Sequence, residues 1–319
     1  MDSKEHTQNQ FLVGFSGNIE VKYLFDPSGQ GDKQPLKNFE FGIGGTSLNL
    51  ANAIQTLGGK SRALVFTGAN EDPETALLNH KMNDYKFEYL SIPILEKGNV
   101  AIHPEDGIHK VISRSYKGKI KPRILTSTCK ILESEKNQWR IATGVRTKEY
   151  KFVKKFLNNE ASRGYRGLNP GMQLINRKDI FKDLLLDTDL LVMNLAEYQA
   201  CNYSSPRGLL FDSKGNRRGP ALLIVTNENK PGFFHHVIHG DGQFKACDKY
   251  TKRRKRPPYS PGAGDWFSGA FNLHCQMNGK SYEDIERGVL IDGLSFAAQV
   301  AGKKVTMPGS INGPSMSDL

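Results

Sequence analysis

The residues of this sequence that are best suited to chemistry lie in PGAGDWFSGAF, residues 261–271. Gly262 and Gly264 allow a tight turn, and the apolar residues after Asp265 recur at helical spacing, so a helix should begin here. The N–H groups of Gly262 to Asp265 would then point from a helix N-terminus and form an anion site. A carboxylate in such a site suits a general base beside a transferring phosphoryl group, because it accepts a proton during the reaction. The alternative is a glycine-rich turn in which Asp265 is only the N-cap.

A second glycine-rich segment, FGIGGTSLNLANAIQTLGG, precedes an amphipathic helix. Gly44 and Gly45 would let a polar ligand approach the backbone closely, and Asn49 offers a donor and an acceptor on the first turn. We expect the helix N-cap at Thr46 or Ser47. Alone, this segment is a weak signal.

A third segment, LLVMNLAEY, places Asn194 at the end of a strand and Glu197 three residues later. Such a pair at the carboxyl end of a parallel strand can hold hydrated Mg2+ through water. The alternative is an Asn helix cap followed by a solvated Glu.

The elements that must position these residues follow a βα rhythm. Short apolar runs such as FLVGF, RALVFTG, DLLVMN and ALLIVT are separated by helical segments such as residues 73–82. Strands separated by helices indicate a parallel sheet covered on both faces, that is, an α/β protein. Residues 20–41 and 98–118 break the rhythm and are expected to form a small sheet outside the main domain.

Composition excludes several classes of protein. The chain has 319 residues and a net charge of +11. Its 38% hydrophobic and 24% charged residues are values of a globular protein rather than a disordered, collagenous or coiled-coil one. It lacks a membrane-length apolar run and a signal peptide, so we expect a soluble, cytoplasmic protein with no membrane partner. The four cysteines form no CxxC pair, which argues against a zinc ribbon. The basic run TKRRKR, residues 251–256, is better explained as a solvated loop than as a nucleic-acid patch, because no aromatic residues interleave it.

Together the three segments resemble the PfkB family of carbohydrate kinases, also called ribokinase-like. The matching motifs are the glycine pair with its downstream Asn49, the N-x-x-E of Asn194 and Glu197, and the G-A-G-D that ends at Asp265, in family order and at comparable spacing. The resemblance covers roughly residues 11–310.

The resemblance implies a three-layer αβα sandwich with a central, mostly parallel sheet and a small β-sheet lid. The kinase domain would span residues 11–310, with lid segments at about 18–42 and 98–118 inserted. Residues 1–10 and 311–319 are expected to be flexible tails. A homodimer formed through the lid is compatible with this arrangement.

The resemblance also implies ATP-dependent phosphorylation of a hydroxyl of a sugar or sugar derivative. Asp265 would be the general base, and the amides of Gly262, Ala263 and Gly264 would stabilise the phosphoryl oxygens. Mg2+ would lie near Asn194 and Glu197. The remaining implied sites are acceptor binding by Asn18, Glu20, Gly44, Gly45 and Asn49, and nucleotide binding by Thr226 and Gly232.

This chain departs from the family pattern at three positions. Glu20 stands where family members usually have Asp, and Glu228 replaces the first glycine of the segment at the nucleotide phosphates. Tyr259 replaces the Asp with which many members coordinate a monovalent cation, which argues against activation by potassium. A nucleoside kinase is the alternative enzyme, and a sugar- or nucleotide-binding regulator without turnover is the alternative outside enzymes.

Overall fold

The computed structural model describes most of the chain. The described residues are 10–25, 36–85, 87–93, 100–104, 126–127, 130, 132, 139–227, 230–245, 262–307 and 311–319.

A nine-stranded sheet forms the centre of the protein. Its strands are β1 (Phe11–Phe15), β4 (Ser61–Thr67), β5 (Glu88–Pro93), β7 (Arg140–Thr143), β8 (Arg166–Asn169), β9 (Leu190–Asn194), β10 (Leu222–Thr226), β11 (Gly232–His236) and β12 (Gly240–Phe244). Their order in the sheet is β12-β11-β10-β9-β8-β7-β1-β4-β5. All neighbouring strands are parallel except β11, which runs antiparallel to β10 and β12. This confirms the predicted mostly parallel sheet.

Helices cover both faces of the sheet because its strands are apolar on both sides. On β10, for example, Leu222 and Ile224 belong to one hydrophobic core, and Leu223 and Val225 belong to the other. The first core contains α1 (Thr46–Thr56), α2 (Pro73–Met82), α8 (Ala263–Met277) and α9 (Arg287–Lys304). The second contains α3 (Tyr150–Leu157), α4 (Met172–Ile175), α5 (Lys178–Leu185) and α7 (Pro206–Leu210), and α6 (Leu195–Ala200) follows β9. The three layers are those expected from the βα rhythm.

A second, three-stranded sheet lies outside this sandwich. It contains β2 (Asn18–Phe25), β3 (Leu36–Gly44) and β6 (Val100–Pro104), in the order β3-β2-β6. Strand β2 begins three residues after β1 ends, and β3 ends two residues before α1 begins, so the small sheet is attached at the carboxyl end of β1. The predicted small sheet is therefore present, while residues 26–35 of its first predicted segment and residues 98–99 and 105–118 of its second lie outside the described residues.

The C-terminal segment is packed rather than a free tail. Ile311 is buried, and its carbonyl accepts a hydrogen bond of 2.9 Å from Asn52 Nδ2 on α1. Gly313 lies so close to the Trp266 ring that a Cβ there would clash with it. The expectation of a flexible tail at 311–319 was wrong because this segment covers apolar surface of α8. Residues 1–9 of the other predicted tail lie outside the described residues.

None of the helices among the described residues is long and apolar enough to cross a membrane.

Candidate active site

The predicted site residues lie mainly where the strands of the central sheet end. Strands β1, β7, β8, β9 and β10 are parallel neighbours, so their carboxyl ends share one edge. Asn18 follows β1 at this edge, whereas Asn194 and Thr226 end β9 and β10. The acceptor residues and the nucleotide residues of the prediction therefore lie at two ends of one row.

Helix α8 begins as the glycine-rich sequence predicts. Gly262 is the N-cap, in a left-handed conformation with φ 82°, and no side chain caps the helix. The first intrahelical bond joins Trp266 N to Gly262 O at 2.9 Å, so the amides of Ala263 and Gly264 belong to the first turn, where N–H groups have no intrahelical acceptor. Asp265 is the third helical residue, so the alternative that made it the N-cap is wrong.

Helix α1 also begins at a glycine. Its N-cap is Gly45, with φ 101°, and not Thr46 or Ser47 as the sequence suggested. The side chain of Ser47 is used elsewhere, because its hydroxyl and its amide both donate to the carbonyl of Ser16. A Cβ on Gly45 would lie 2.8 Å from Asn18 Oδ1, so glycine is required for the close approach of α1 to the start of β2.

The two helix N-termini meet through a pair of predicted site residues. Asn49 Nδ2 donates to Asp265 Oδ2 at 2.9 Å, although 216 positions separate the residues in the chain. Asn49 is only 3% exposed, whereas Asp265 is half-buried, so the donor side of this bond is shielded from bulk water. One turn further along α8, a Cβ on Gly269 would lie 2.8 Å from Ala53 Cβ, which shows how closely α8 packs on α1.

The other predicted acceptor residues are held by backbone pairing in the small sheet. Asn18 pairs with Gly44, and Glu20 pairs with Gly42 and with Ala101. The structure thus brings Asn18, Gly44, Gly45 and Asn49 to one place, beside the start of α8.

Asn194 and Glu197 form a capping box at the start of α6. Asn194 Oδ1 accepts from Glu197 N at 2.8 Å, and Glu197 Oε2 accepts from Asn194 N at 3.0 Å. Burial raises the pKa of Glu197, and the hydrogen bond from Asn194 opposes that rise. The alternative of an Asn helix cap followed by a solvated Glu is therefore correct in part. Asn194 is the cap, but Glu197 is hydrogen-bonded to its backbone rather than solvated.

The two predicted nucleotide residues differ in their surroundings. Thr226 is the Cα partner of Asn194, so it lies directly beside the N-x-x-E pair. Gly232 is buried at the start of β11, where a Cβ would clash with the Phe244 ring, so packing explains this glycine. Glu228, Tyr259 and the basic run 251–256 lie outside the described residues.

The described residues offer few side-chain donors for a metal ion. Among the described residues no group of three or more His, Cys, Asp or Glu side chains comes together. The carboxylate of Glu197 nevertheless fits a hydrated Mg2+, because it has two oxygens and its capping bond uses only Oε2.

Two residues at the site were missed by the sequence analysis. Asn169 ends β8, and its side chain contacts Ser268 on α8, with 2.9 Å between Asn169 Nδ2 and Ser268 Oγ. Asn169 carried a usable signal, since it is a polar residue at the end of a predicted strand. Ser268 carried none, because a serine within an apolar helix is unremarkable.

Solved structures share this fold over nearly the whole chain. A ribokinase from Giardia lamblia superposes with a TM-score of 0.73 at 16% identity, covering 97% of this chain and 98% of that chain. A fructokinase with bound ATP from Xylella fastidiosa gives a TM-score of 0.67 at 16% identity, covering 95% of this chain and 94% of that chain. An adenosine kinase from Sinorhizobium meliloti gives a TM-score of 0.66 at 11% identity, with 95% of each chain covered.

No family model matches the sequence, and no curated protein matches it. The similarity is thus one of structure. The chain has the ribokinase-like fold, as its sandwich, its small second sheet and these superpositions show.

Proposed function

We propose that the protein is an ATP-dependent kinase that transfers a phosphoryl group to a hydroxyl of a sugar or sugar derivative. The observation that carries the proposal is the contact between Asn49 and Asp265, near two helix N-termini whose N-cap residues are glycines. It joins the G-A-G-D motif and the segment of the glycine pair at one point of a ribokinase-like fold. Ribokinase, fructokinase and adenosine kinase structures share that fold, which supports a phosphotransferase.

In the proposed reaction Asp265 accepts the proton of the attacking hydroxyl. The hydrogen bond from Asn49 orients the carboxylate of Asp265 through Oδ2. Charge on the transferring phosphoryl group increases near the start of α8, where the amides of Ala263 and Gly264 lie and where the helix dipole is positive. Gly264 is exposed, and a Cβ there would meet nothing within 4 Å, so the backbone is open to a ligand.

The order of strands supports a division of the edge into two subsites. Acceptor residues Asn18 and Gly45 lie at β1, and Asn194 and Thr226 lie at β9 and β10, three and four strands away in the sheet. Neighbouring strands are about 4.8 Å apart, so the two ends are separated by roughly 14 to 19 Å. This is a length suited to a nucleotide laid along the edge with its terminal phosphate near α8.

Residues Asn194 and Glu197 are the proposed holders of Mg2+, through water. When bound, the ion would neutralise charge on the ATP phosphates. The contribution of the chain is to fix the Glu197 carboxylate through the capping box and to place it beside Thr226, the proposed nucleotide contact.

A nucleoside acceptor is the second candidate. Phe41 on β3 is 38% exposed and lies within the small sheet, where an aromatic side chain could stack on a base. The adenosine kinase superposition is compatible with either acceptor.

The proposal is tested by an ADP-release screen with ATP and Mg2+ against sugars, sugar phosphates and nucleosides, using the wild type and Asp265→Asn. Asparagine keeps the shape of the side chain but cannot accept the proton, so kcat should fall about 10²- to 10⁴-fold while acceptor binding persists. Asp292→Asn is the matched control, because Asp292 is an exposed carboxylate on α9. Wild-type turnover in the Asp265→Asn variant would show that Asp265 is not the base.

A further inference from the structure

Helix α8 carries a line of polar side chains through an otherwise apolar environment. Between Trp266 and Leu273 every residue of the helix is buried. Asp265 lies in the first turn of α8, and Ser268 and Asn272 lie within the buried stretch. The three residues are spaced three and four positions apart, so they share one face of the helix. We call these three residues the polar seam.

Each end of the seam is fixed by a different part of the fold. Asp265 accepts from Asn49 on α1, as described above. Asn272 Nδ2 donates to the carbonyl of Ser268 at 2.7 Å, and its Oδ1 accepts a hydrogen bond from the hydroxyl of Tyr282, which is fully buried. The polar residues on both sides of Ser268 thus have hydrogen-bond partners.

The middle of the seam is bound to the sheet. Ser268 Oγ accepts from Asn169 Nδ2 at 2.9 Å and lies 3.3 Å from Asn169 Oδ1, to which it can donate. Asn169 is itself fixed, because its carbonyl accepts from Gly144 N at 3.1 Å at the end of the neighbouring strand β7. The contact therefore joins α8 directly to the carboxyl edge of the sheet, one turn after Asp265.

Such a polar contact restricts rotation of α8 about its own axis, which apolar packing restricts only weakly. Apolar contacts are non-directional, whereas a buried hydrogen bond is lost when its groups turn apart. A carboxylate stands about 5 Å from the axis of its helix, so a rotation of about 10° moves it by roughly 1 Å. A misplacement of about 1 Å can cost about 10²-fold in rate.

We propose that Asn169 and Ser268 are positioning residues, which set the rotation of α8 and thereby hold the Asp265 carboxylate where it meets the acceptor hydroxyl. This inference rests on the proposed function, in which Asp265 is the general base. Ser268 is 0% exposed and cannot touch a ligand, so its effect must pass through the helix.

The test compares Ser268→Ala with Cys275→Ala, a matched control on the same helix. Cys275 is also fully buried, but it lies outside the polar seam. We expect Ser268→Ala to lower kcat about 10- to 100-fold and to leave the KM of the acceptor within about twofold, while Cys275→Ala leaves both near the wild-type values. Measurements are made well below the Tm of both variants, so that partial unfolding cannot imitate the effect.

A second variant and a structural measurement separate this inference from the proposed function. Asn169→Ala and the double variant should each lose about as much kcat as Ser268→Ala alone, because all three remove the same contact. A crystal structure of Ser268→Ala should show the distance between Asn49 Nδ2 and Asp265 Oδ2 lengthened from 2.9 Å. Unchanged kcat, or an unchanged distance, overturns the positioning role. If the wild type phosphorylates no acceptor, the proposed function fails, and the distance alone then decides whether the seam positions Asp265.

Discussion

Replacing Gly45 by alanine tests how tightly the start of α1 is built into the site. A Cβ at Gly45 would lie 2.7 Å from Gly17 Cα, 2.8 Å from Asn18 Oδ1 and 2.9 Å from Ser16 O. Two of these atoms are backbone, so they cannot move aside as a flexible side chain would. The residue also has φ 101° and ψ 142°, a conformation essentially restricted to glycine.

The expected loss of stability has two parts. The backbone conformation costs about 1 to 3 kcal/mol for a non-glycine residue, and crowding of a packed region costs about 1 to 3 kcal/mol more. The total is about 2 to 6 kcal/mol. For a chain of 319 residues the entropy of unfolding is about 0.7 kcal/mol/K, so Gly45→Ala should lower Tm by about 3 to 9 °C in differential scanning calorimetry.

Gly58→Ala provides the matched control at the other end of the same helix. Gly58 has φ 95°, but a Cβ there would meet nothing within 4 Å. Its loss should be limited to the backbone cost of about 1 to 2 kcal/mol, or about 1.5 to 3 °C. Because Gly58 lies about 20 Å from Gly45 along the helix, only Gly45→Ala should also lower kcat/KM. Equal losses of Tm in the two variants would refute the argument that glycine is required at position 45 because residues 16–18 lie so close to it.

Three further predictions address the proposed metal site and two other parts of the protein. Glu197→Gln should keep the cap of α6, because an amide oxygen can also accept a hydrogen bond from Asn194 N. It should nevertheless raise the Mg2+ concentration needed for half-maximal rate, and a change confined to the KM of the acceptor would show that Glu197 is not part of the metal site. Burial raises the pKa of Glu149 from 4.5 to about 7, so its charged form is disfavoured in the folded state and stability should fall as pH rises from about 4.5 to 7. Glu149→Gln should remove that slope and raise stability at pH 8 by up to about 3 kcal/mol, whereas a slope unchanged in urea titrations would contradict this. Gly313→Ala should press on the Trp266 ring, change tryptophan fluorescence and lower Tm, while Gly288→Ala, with open space around it, should not.

The sequence was a sufficient guide to those parts of the protein that depend on local pattern. Alternating strands and helices predicted the parallel sheet, and the helix predicted at residues 73–82 has the bounds Pro73–Met82. That helix is well marked, because Asp72 caps it through a 2.9 Å bond from Thr75 N and proline occupies the first turn. Glycine before a helical pattern likewise predicted where α8 begins.

Errors arose where tertiary contacts override local preference. Thr46 and Ser47 are good capping residues by type, but the hydroxyl of Ser47 binds Ser16, which is distant in sequence. The polar composition at the end of the chain predicts a tail, yet Ile311 contacts α1 and Gly313 contacts α8. The surface to which they bind forms only when these two helices pack together. The contact between Asn169 and Ser268 spans 99 positions, and no local pattern records such a pair.

The polar pairs at the start of α8 bear on the choice between an enzyme and a regulator without turnover. Stability alone does not require them, because an apolar pair of matching shape contributes about as much once both polar partners are replaced. Polar pairs give instead a defined geometry, since each is lost when its groups rotate or separate. Here two such pairs, Asn49 with Asp265 and Asn169 with Ser268, fix the same helix turn from two directions. A site that only bound a sugar would gain little from holding the Asp265 carboxylate so narrowly, whereas proton transfer depends on its position within about 1 Å. The two polar pairs therefore supply the fixed Asp265 position that the proposed proton transfer requires.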